Sequence, residues 1–194
     1  MDSDADINTT GSSKQALIVE TAYRLFKQNG FYATGVDIIM QEAGISKRTL
    51  YKYFRTKNEL IAAVLAYYRA SYQVHMATVI DAENKSARDN IIAIFDDAKN
   101  WFGDAQFHGC LAVNAMGEFS GKDPAIEDAC MRFKRWEIEV LQGLTRQINA
   151  DKADELAYKL FVLLEGMSAI AQVTKGEYPV DLTAMAVELI DRYC

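Results

Sequence analysis

Between Gly44 and Lys57 the chain carries Lys47, Arg48, Lys52, Arg55 and Lys57 and no acid, a local charge of +5 over fourteen residues. Binding phosphate needs such a concentrated field, not a basic whole. The whole is acidic: the net charge is -6, with residues 1–60 at +1 and the remainder at -7. Taken alone, a charge run of this kind also fits a solvated helix face. Thiol chemistry has a smaller footing. Cys110, Cys130 and Cys194 are odd in number, widely separated and without Cys-x-x-Cys pairing, so reduced thiols are expected and neither a disulfide framework nor a metal site. His108 and Cys110 are the one nucleophile and base hint, but residues two apart seldom face each other on a helix. No Gly-x-Ser-x-Gly elbow, phosphate loop, His-Glu-x-x-His helix or dinucleotide fingerprint occurs, so neither an enzyme nor a cofactor is expected.

The elements that must position these groups are helical. Half of the 194 residues are hydrophobic and a quarter charged, with two prolines and eleven glycines, a composition that favours long helices. After a polar tail over residues 1–12, Ser12 or Ser13 can cap a helix whose apolar positions Ala16, Val19, Ala22, Tyr23 and Phe26 run to a stop at Gly30. A short helix over Val36, Ile39, Met40 and Ala43 meets Gly44, suited to a left-handed turn, and Ser46 caps a second short helix through Phe54. Thr56 opens a longer helix towards Val79 and Ser86 one that ends at Gly103. A short apolar segment, Cys110 to Phe119, precedes Asp123-Pro124, a cap and first-turn pair that starts a helix to about Asn149. Two more follow, from beyond Asp151 to about Lys175 and from Asp181 to Tyr193. The expected fold is all-α, about nine helices with no strand.

Two short helices about a glycine turn, the second basic on its outer side, have helix-turn-helix geometry. The second would enter the major groove with Lys47, Arg48 and Thr49 at its N-terminus, and Lys57 would start the next helix at the groove's edge. The residues Gly30-Phe31-Tyr32-Ala33-Thr34-Gly35-Val36, Ala43-Gly44-Ile45-Ser46-Lys47-Arg48-Thr49-Leu50-Tyr51-Lys52-Tyr53-Phe54 and Lys57-Asn58-Glu59-Leu60 resemble the DNA-binding signature of the TetR-type bacterial transcriptional regulators. That resemblance covers about Lys14 to Leu65. It implies that Thr34, Lys47, Tyr51, Tyr53 and Lys57 meet the DNA backbone or groove, and that Arg48, Thr49 and Lys52 set sequence preference. Tyr53 and Phe54 also fit core aromatics. Gly35 stands where a second threonine is common, removing a side-chain cap, and Arg48 replaces a frequent glycine with a donor able to read guanine bidentately.

The resemblance divides the chain into a helix-turn-helix domain over 13–58 and a helical ligand-binding and dimerisation domain over 59–194. Palindromic operators require a dimer, and the last two helices supply its candidate surface in Leu160, Leu164, Met167, Ile170, Met185 and Leu189. Aromatic and sulfur side chains gather in the second half, where the family keeps a ligand cavity: Trp101, Phe102, Phe107, Met116, Phe133, Trp136 and Phe161. Such walls suit a small hydrophobic or aromatic compound. Glu165 and His108 fit either a ligand's polar anchor or hydrogen-bonded core. Cys110, in Gly109-Cys110-Leu111-Ala112-Val113-Asn114, resembles a segment from a branch in which some members sense electrophiles or oxidants; an inert buried thiol is the competing reading.

The expected function is a homodimeric, ligand-responsive regulator, a repressor released from double-stranded operator DNA by a small molecule or by thiol modification. The alternative is an architectural DNA-binding or protein-interaction module without an effector. No uninterrupted apolar run reaches the ~18 residues that span a bilayer, and Asp2, Asp4 and Asp6 occupy the start, where a signal peptide needs cations. No membrane partner and a cytoplasmic location are therefore expected.

Overall fold

The computed structural model of the chain describes residues 4–175 and 179–194. Among them all regular structure is helical: α1 (Asp4–Asn29), α2 (Val36–Ala43), α3 (Lys47–Tyr53), α4 (Lys57–Val79), α5 (Ala87–Phe102), α6 (Leu111–Phe119), α7 (Pro124–Ile148), a 3-10 turn (Ala150–Lys152), α8 (Ala153–Thr174) and α9 (Leu182–Asp191). The chain forms two compact units. One runs through Ala70 and resumes over Leu111–Cys130; the other comprises Ser71–Cys110 and Met131–Cys194. Helices α4 and α7 each pass from one unit into the other without a break.

Local chemistry explains most boundaries. The Ser46 side chain accepts the Thr49 N–H, Ser86 accepts that of Asp89, and Asp181 that of Ala184, so each cap satisfies an amide that its helix leaves unpaired. Asp123 does the same for Ala125 and Ile126 ahead of Pro124. Gly44 takes the left-handed conformation at φ 63°, and its N–H closes on the last carbonyls of α2. The Thr56 hydroxyl accepts the Glu59 N–H while the Glu59 carboxylate accepts the Arg55 N–H, a reciprocal start to α4.

In the first unit Ile18, Ala22 and Phe26 of α1, Ile39 of α2, Leu50 of α3 and Ile61 of α4 are buried, and Phe31 in the α1–α2 loop lies 5.0 Å from Phe26 and 5.9 Å from Phe119 of α6. In the second, Ile91 and Phe95 of α5, Leu141 of α7, Leu156 and Leu160 of α8, and Leu182 and Ile190 of α9 share one core. Each such side chain contributes about 1.5–3 kcal/mol on burial. Buried Asn90 ties off the α4–α5 connection by accepting the Asp81 N–H and donating to the Asp81 carbonyl.

Two expectations differ from this picture. The first helix begins at Asp4 and not at Ser12 or Ser13, so most of the span 1–12 expected as a tail is helix, its first three residues lying outside the described ones. Between Asp4 and Ser13 only Gly11 opposes a helix, at a cost of about 1 kcal/mol. The second concerns membranes. Ala150–Thr174 is the one helical stretch among the described residues long and apolar enough to cross a bilayer, by length and composition alone. Its stripe of Leu156, Leu160, Met167 and Ala171 is buried in the core of the second unit.

Candidate nucleic-acid interface and effector cavity

Helix α3 is anchored by Leu50 and, just past its end, Phe54, both buried. That fixes which side faces outward. Lys47, Arg48, Tyr51 and Lys52 are exposed, Thr49 and Tyr53 half-buried, and the Lys52 ammonium stands 5.6 Å from the Tyr53 ring centre. The Thr49 hydroxyl lies 2.9 Å from that of Ser46, so part of its hydrogen-bonding capacity is used within the helix start. The N-terminus of α2 has Gly35 in the cap position and no side-chain cap, as the missing threonine implied.

Thr34 does not occupy the position expected of a DNA contact. It is 1% exposed, and its hydroxyl donates to the Gly30 carbonyl at 2.8 Å and to that of Leu25 at 3.4 Å. A threonine two residues before a helix resembles a phosphate ligand in sequence; here it satisfies carbonyls at the end of α1. Lys57 is half-buried, and its ammonium donates to the Phe31 carbonyl at 2.5 Å. Burial lowers the Lys57 pKa, with the nearby Glu118 carboxylate partly offsetting it.

Glu118 on α6 was not anticipated. Its carboxylate accepts the Phe31 N–H at 3.1 Å and the Tyr32 N–H at 2.8 Å, holding the α1–α2 loop by its backbone. Asn58 at the start of α4 donates to Asp123 at 2.8 Å, a second polar tie within this unit. A lone acid on a short apolar helix carries no sequence signal of such a role.

In the second unit the expected aromatic residues form a connected cluster centred on Tyr72, which was not singled out. Tyr72 lies 6.4 Å from Trp101, 5.6 Å from Phe133 and 5.8 Å edge-on from Trp136, while Phe107 meets Trp101 at 5.0 Å and Phe102 at 5.2 Å. Of the expected ligand residues, Trp136, Phe161 and Glu165 line a cavity together with Tyr72, Met76 and Glu137. Met116 does not join this group, because α6 belongs to the first unit. The His108 ring bonds to the Gln106 carbonyl at 2.7 Å, and its own carbonyl accepts from Gln172 at 3.1 Å, so it closes a turn. Gly109 follows at φ +85°, with the Gln172 side chain pressed against the site where a Cβ would stand.

Cys110 and Cys130 are buried and Cys194 exposed, all three free of disulfides. Lys134 links Cys110 to the cavity. Burial disfavours its ammonium, but the Cys110 sulfur and the Glu137 and Glu165 carboxylates outweigh that and raise its pKa. The Lys134 ammonium is 2.8 Å from Glu137 and 2.8 Å from Glu165.

The expected dimer residues divide. Leu160 and Met167 are buried in the chain's own core and are not available to a partner. Ile170 and Met185 are exposed, Leu164 and Leu189 half-buried. The outward stripe of α8 is instead Tyr158, Val162 (67% exposed), Ile170 and Val173 (82% exposed). Because α8 is apolar over most of its circumference, periodicity did not reveal which stripe its own core takes.

A family profile described as bacterial regulatory proteins, tetR family, matches residues 18–64, and one described as transcriptional regulator LmrA/YxaF-like, C-terminal domain, matches residues 87–186, about half of the chain. The chain is 24% identical over 189 residues to the HTH-type transcriptional regulator YxaF of Bacillus subtilis, covering 96% of this chain and 98% of that protein. It is 28% identical over 102 residues to the HTH-type transcriptional repressor NemR of Escherichia coli, about half of each chain. Among solved structures, a TetR-type regulator of Streptomyces avermitilis superposes with a TM-score of 0.80 at 24% identity, covering 93% of this chain and 97% of its own, which shows a shared fold.

Proposed function

Since this chain belongs to the TetR family of bacterial transcriptional regulators and acts as a DNA-binding regulator of transcription, we propose that it is a homodimeric repressor released from a palindromic operator when a small molecule enters the second unit. The observation that carries this reading is the outward face of α3, where Lys47, Arg48, Tyr51 and Lys52 are exposed beside a helix start fixed by the Ser46 cap. A helix of this width fits the major groove, with its N-terminal side chains on base edges and its cations on phosphates. Arg48, Thr49 and Lys52 set preference in this reading; Lys47, Tyr51 and Tyr53 contact the backbone or groove, and Lys57 acts at the groove's edge. Two copies of α3 about 34 Å apart require a two-fold dimer. Supporting it are the exposed Tyr158, Val162, Ile170 and Val173 of α8 with Met185 of α9, an apolar surface that a second copy would cover. That NemR is named a repressor favours repression.

The aromatic cluster around Tyr72 supports an effector that is small and apolar in its body. Thiol modification is the other release route, at Cys110 beside Lys134. A Cys110→Ser protein should lose release by N-ethylmaleimide while keeping any release by a non-covalent ligand; release equal to that of the parent removes the route.

The reading is tested by selecting DNA from random and genomic libraries with the purified protein, using a Lys47→Ala, Tyr51→Ala double variant as control. One enriched palindrome that disappears with the variant is the expected result. Salt-sensitive retention with no enriched motif overturns the operator reading in favour of an architectural DNA binder.

A further inference from the structure

The cavity of the second unit has a charge imbalance inside an aromatic wall. Tyr72 of α4, Trp136 of α7 and Phe161 of α8 supply the rings, and the carboxylates of Glu137 and Glu165 line the same space. One ammonium serves both acids: Lys134 is 2.8 Å from each, and it also stands 5.1 Å from the Phe133 ring centre and 5.8 Å from that of Phe161. Two carboxylates against one lysine leave one negative charge over. The imbalance has a specific location, because Glu137 Oε2 is sealed from solvent and, although in ion-pair contact with Lys134, receives no well-directed hydrogen bond. A buried carboxylate in that state is costly unless a proton or a cation arrives.

We infer that this cavity takes a small organic cation with an aryl or alkyl body, its positive charge set against Glu137 and Glu165 and its body against Tyr72, Trp136 and Phe161. The inference rests on reading the second unit as the effector domain and names the chemical class of the effector. Aromatic faces attract a desolvated cation through their quadrupole, and the uncompensated carboxylate adds the larger charge term. A neutral aromatic compound would gain the wall contacts and leave the charge buried. An anion would meet Lys134 already held between two carboxylates.

The groups that set the local charge come from every helix around the cavity: Lys134 and Glu137 from α7, Glu165 from α8, Tyr72 from α4, and Asp97 of α5, which is felt by Tyr72 and bonded to His75 at 2.9 Å, with Cys110 beside Lys134. Burial pushes the Glu137 carboxyl up to about 7, with Lys134 pulling it down less strongly and Glu165 adding to the rise. A permanently charged ligand should therefore bind better at pH 8, where Glu137 is ionised, than at pH 6, where a proton already neutralises it.

The test titrates the full chain with benzyltrimethylammonium, with 2,2-dimethylpropylbenzene, the same shape with carbon in place of nitrogen, and with the anion 4-tert-butylbenzoate. The readout is tryptophan fluorescence in the absence of DNA. The expected result is a cation bound at least about tenfold more tightly than its neutral counterpart at pH 8, a smaller advantage at pH 6, and no saturable binding of the anion. Glu137→Gln and Glu165→Gln should each shrink the advantage; a melting curve for each variant checks folding, and the comparison of probes on the unaltered chain does not depend on either. Equal or tighter binding of the neutral or anionic probe overturns the inference, as does a cation advantage that both variants leave intact. Failure of the operator reading is separate: it appears as the absence of an enriched palindrome, whatever the probes do.

Discussion

The carboxylate of Glu118 on α6 accepts the backbone N–H of Tyr32 at 2.8 Å, and its other oxygen accepts that of Phe31 at 3.1 Å. The Tyr32 ring lies nearly parallel to Phe119 at 5.3 Å, so backbone and side chain of one loop residue are held by adjacent residues of one helix. The loop leads directly into α2 and the helix-turn-helix. Charge-assisted hydrogen bonds of this kind contribute about 1.5–3 kcal/mol each when shielded and less when exposed, as the Tyr32 amide is. Glu118→Ala should lower the melting temperature and weaken operator binding together, and Glu118→Gln, which keeps one acceptor, should fall between. Unchanged melting and unchanged affinity in the alanine variant would remove Glu118 from the account.

Arg48 and Lys47 should fail differently. Lys47→Ala removes a cation assigned to phosphate and should weaken binding to all sequences, lowering the salt slope by about one. Arg48→Ala should cost about 1–3 kcal/mol at one operator position and leave binding to a site altered there nearly unchanged. Binding measured over a salt series on single-substitution operators separates the two; identical uniform losses refute the assignment. Lys57→Ala is a poorer probe of phosphate contact, since its ammonium also holds the Phe31 carbonyl.

Helix α8 carries two stripes with different expected responses. Val162→Glu places a charge on the outward stripe and should yield monomers by sedimentation with loss of operator binding. Leu160→Ala empties a site in the chain's own core and should cost about 2–5 kcal/mol of stability. A Val162→Glu protein that remains fully dimeric would place the interface elsewhere.

Glu137 gives a stability signature with a defined sign. Its folded pKa is raised by burial from 4.5 to about 7, so its contribution favours the folded state most below pH 4.5 and is lost as pH rises through 7. Glutamine does not titrate. The stability of Glu137→Gln relative to the parent should therefore climb between pH 4.5 and 7, by about 1–3 kcal/mol, and stay flat above. Denaturant unfolding at four pH values checks this; a difference that is constant across the window means the carboxyl is not perturbed.

The sequence was most legible where the cause is local. Ser46, Gly44, Asp123 with Pro124, and Asp181 announce helix ends because caps and left-handed turns need those residue types within a few positions. The outward face of α3 followed from the same periodicity that buries Leu50. Less legible were features made by chain segments distant in sequence. Glu118 meets a loop 86 residues earlier. Lys134 and Glu137 read as the wet side of an amphipathic α7 and instead join Glu165, contributed by a different helix, at a cavity. Thr34 sits among residues of a DNA-binding signature, and nothing near it in sequence shows that its hydroxyl turns inward to Gly30. On α8, Leu160 and Val162 belong to one apolar run, and only their neighbours in space separate them.

The first compact unit is discontinuous along the chain, and this bears on how it is made and how it can be cut. Glu118 and Phe119, which fasten the loop ahead of the helix-turn-helix, are synthesised about fifty residues after α3. A nascent chain that has exposed only α1 to α4 lacks that fastening, so the reading head reaches its final form only once α6 has left the ribosome, by which time α5 has also emerged. For the same reason a fragment ending near Leu65 is not a miniature of the DNA-binding unit: it would keep the residues that face DNA and lose the helix that holds their loop in place.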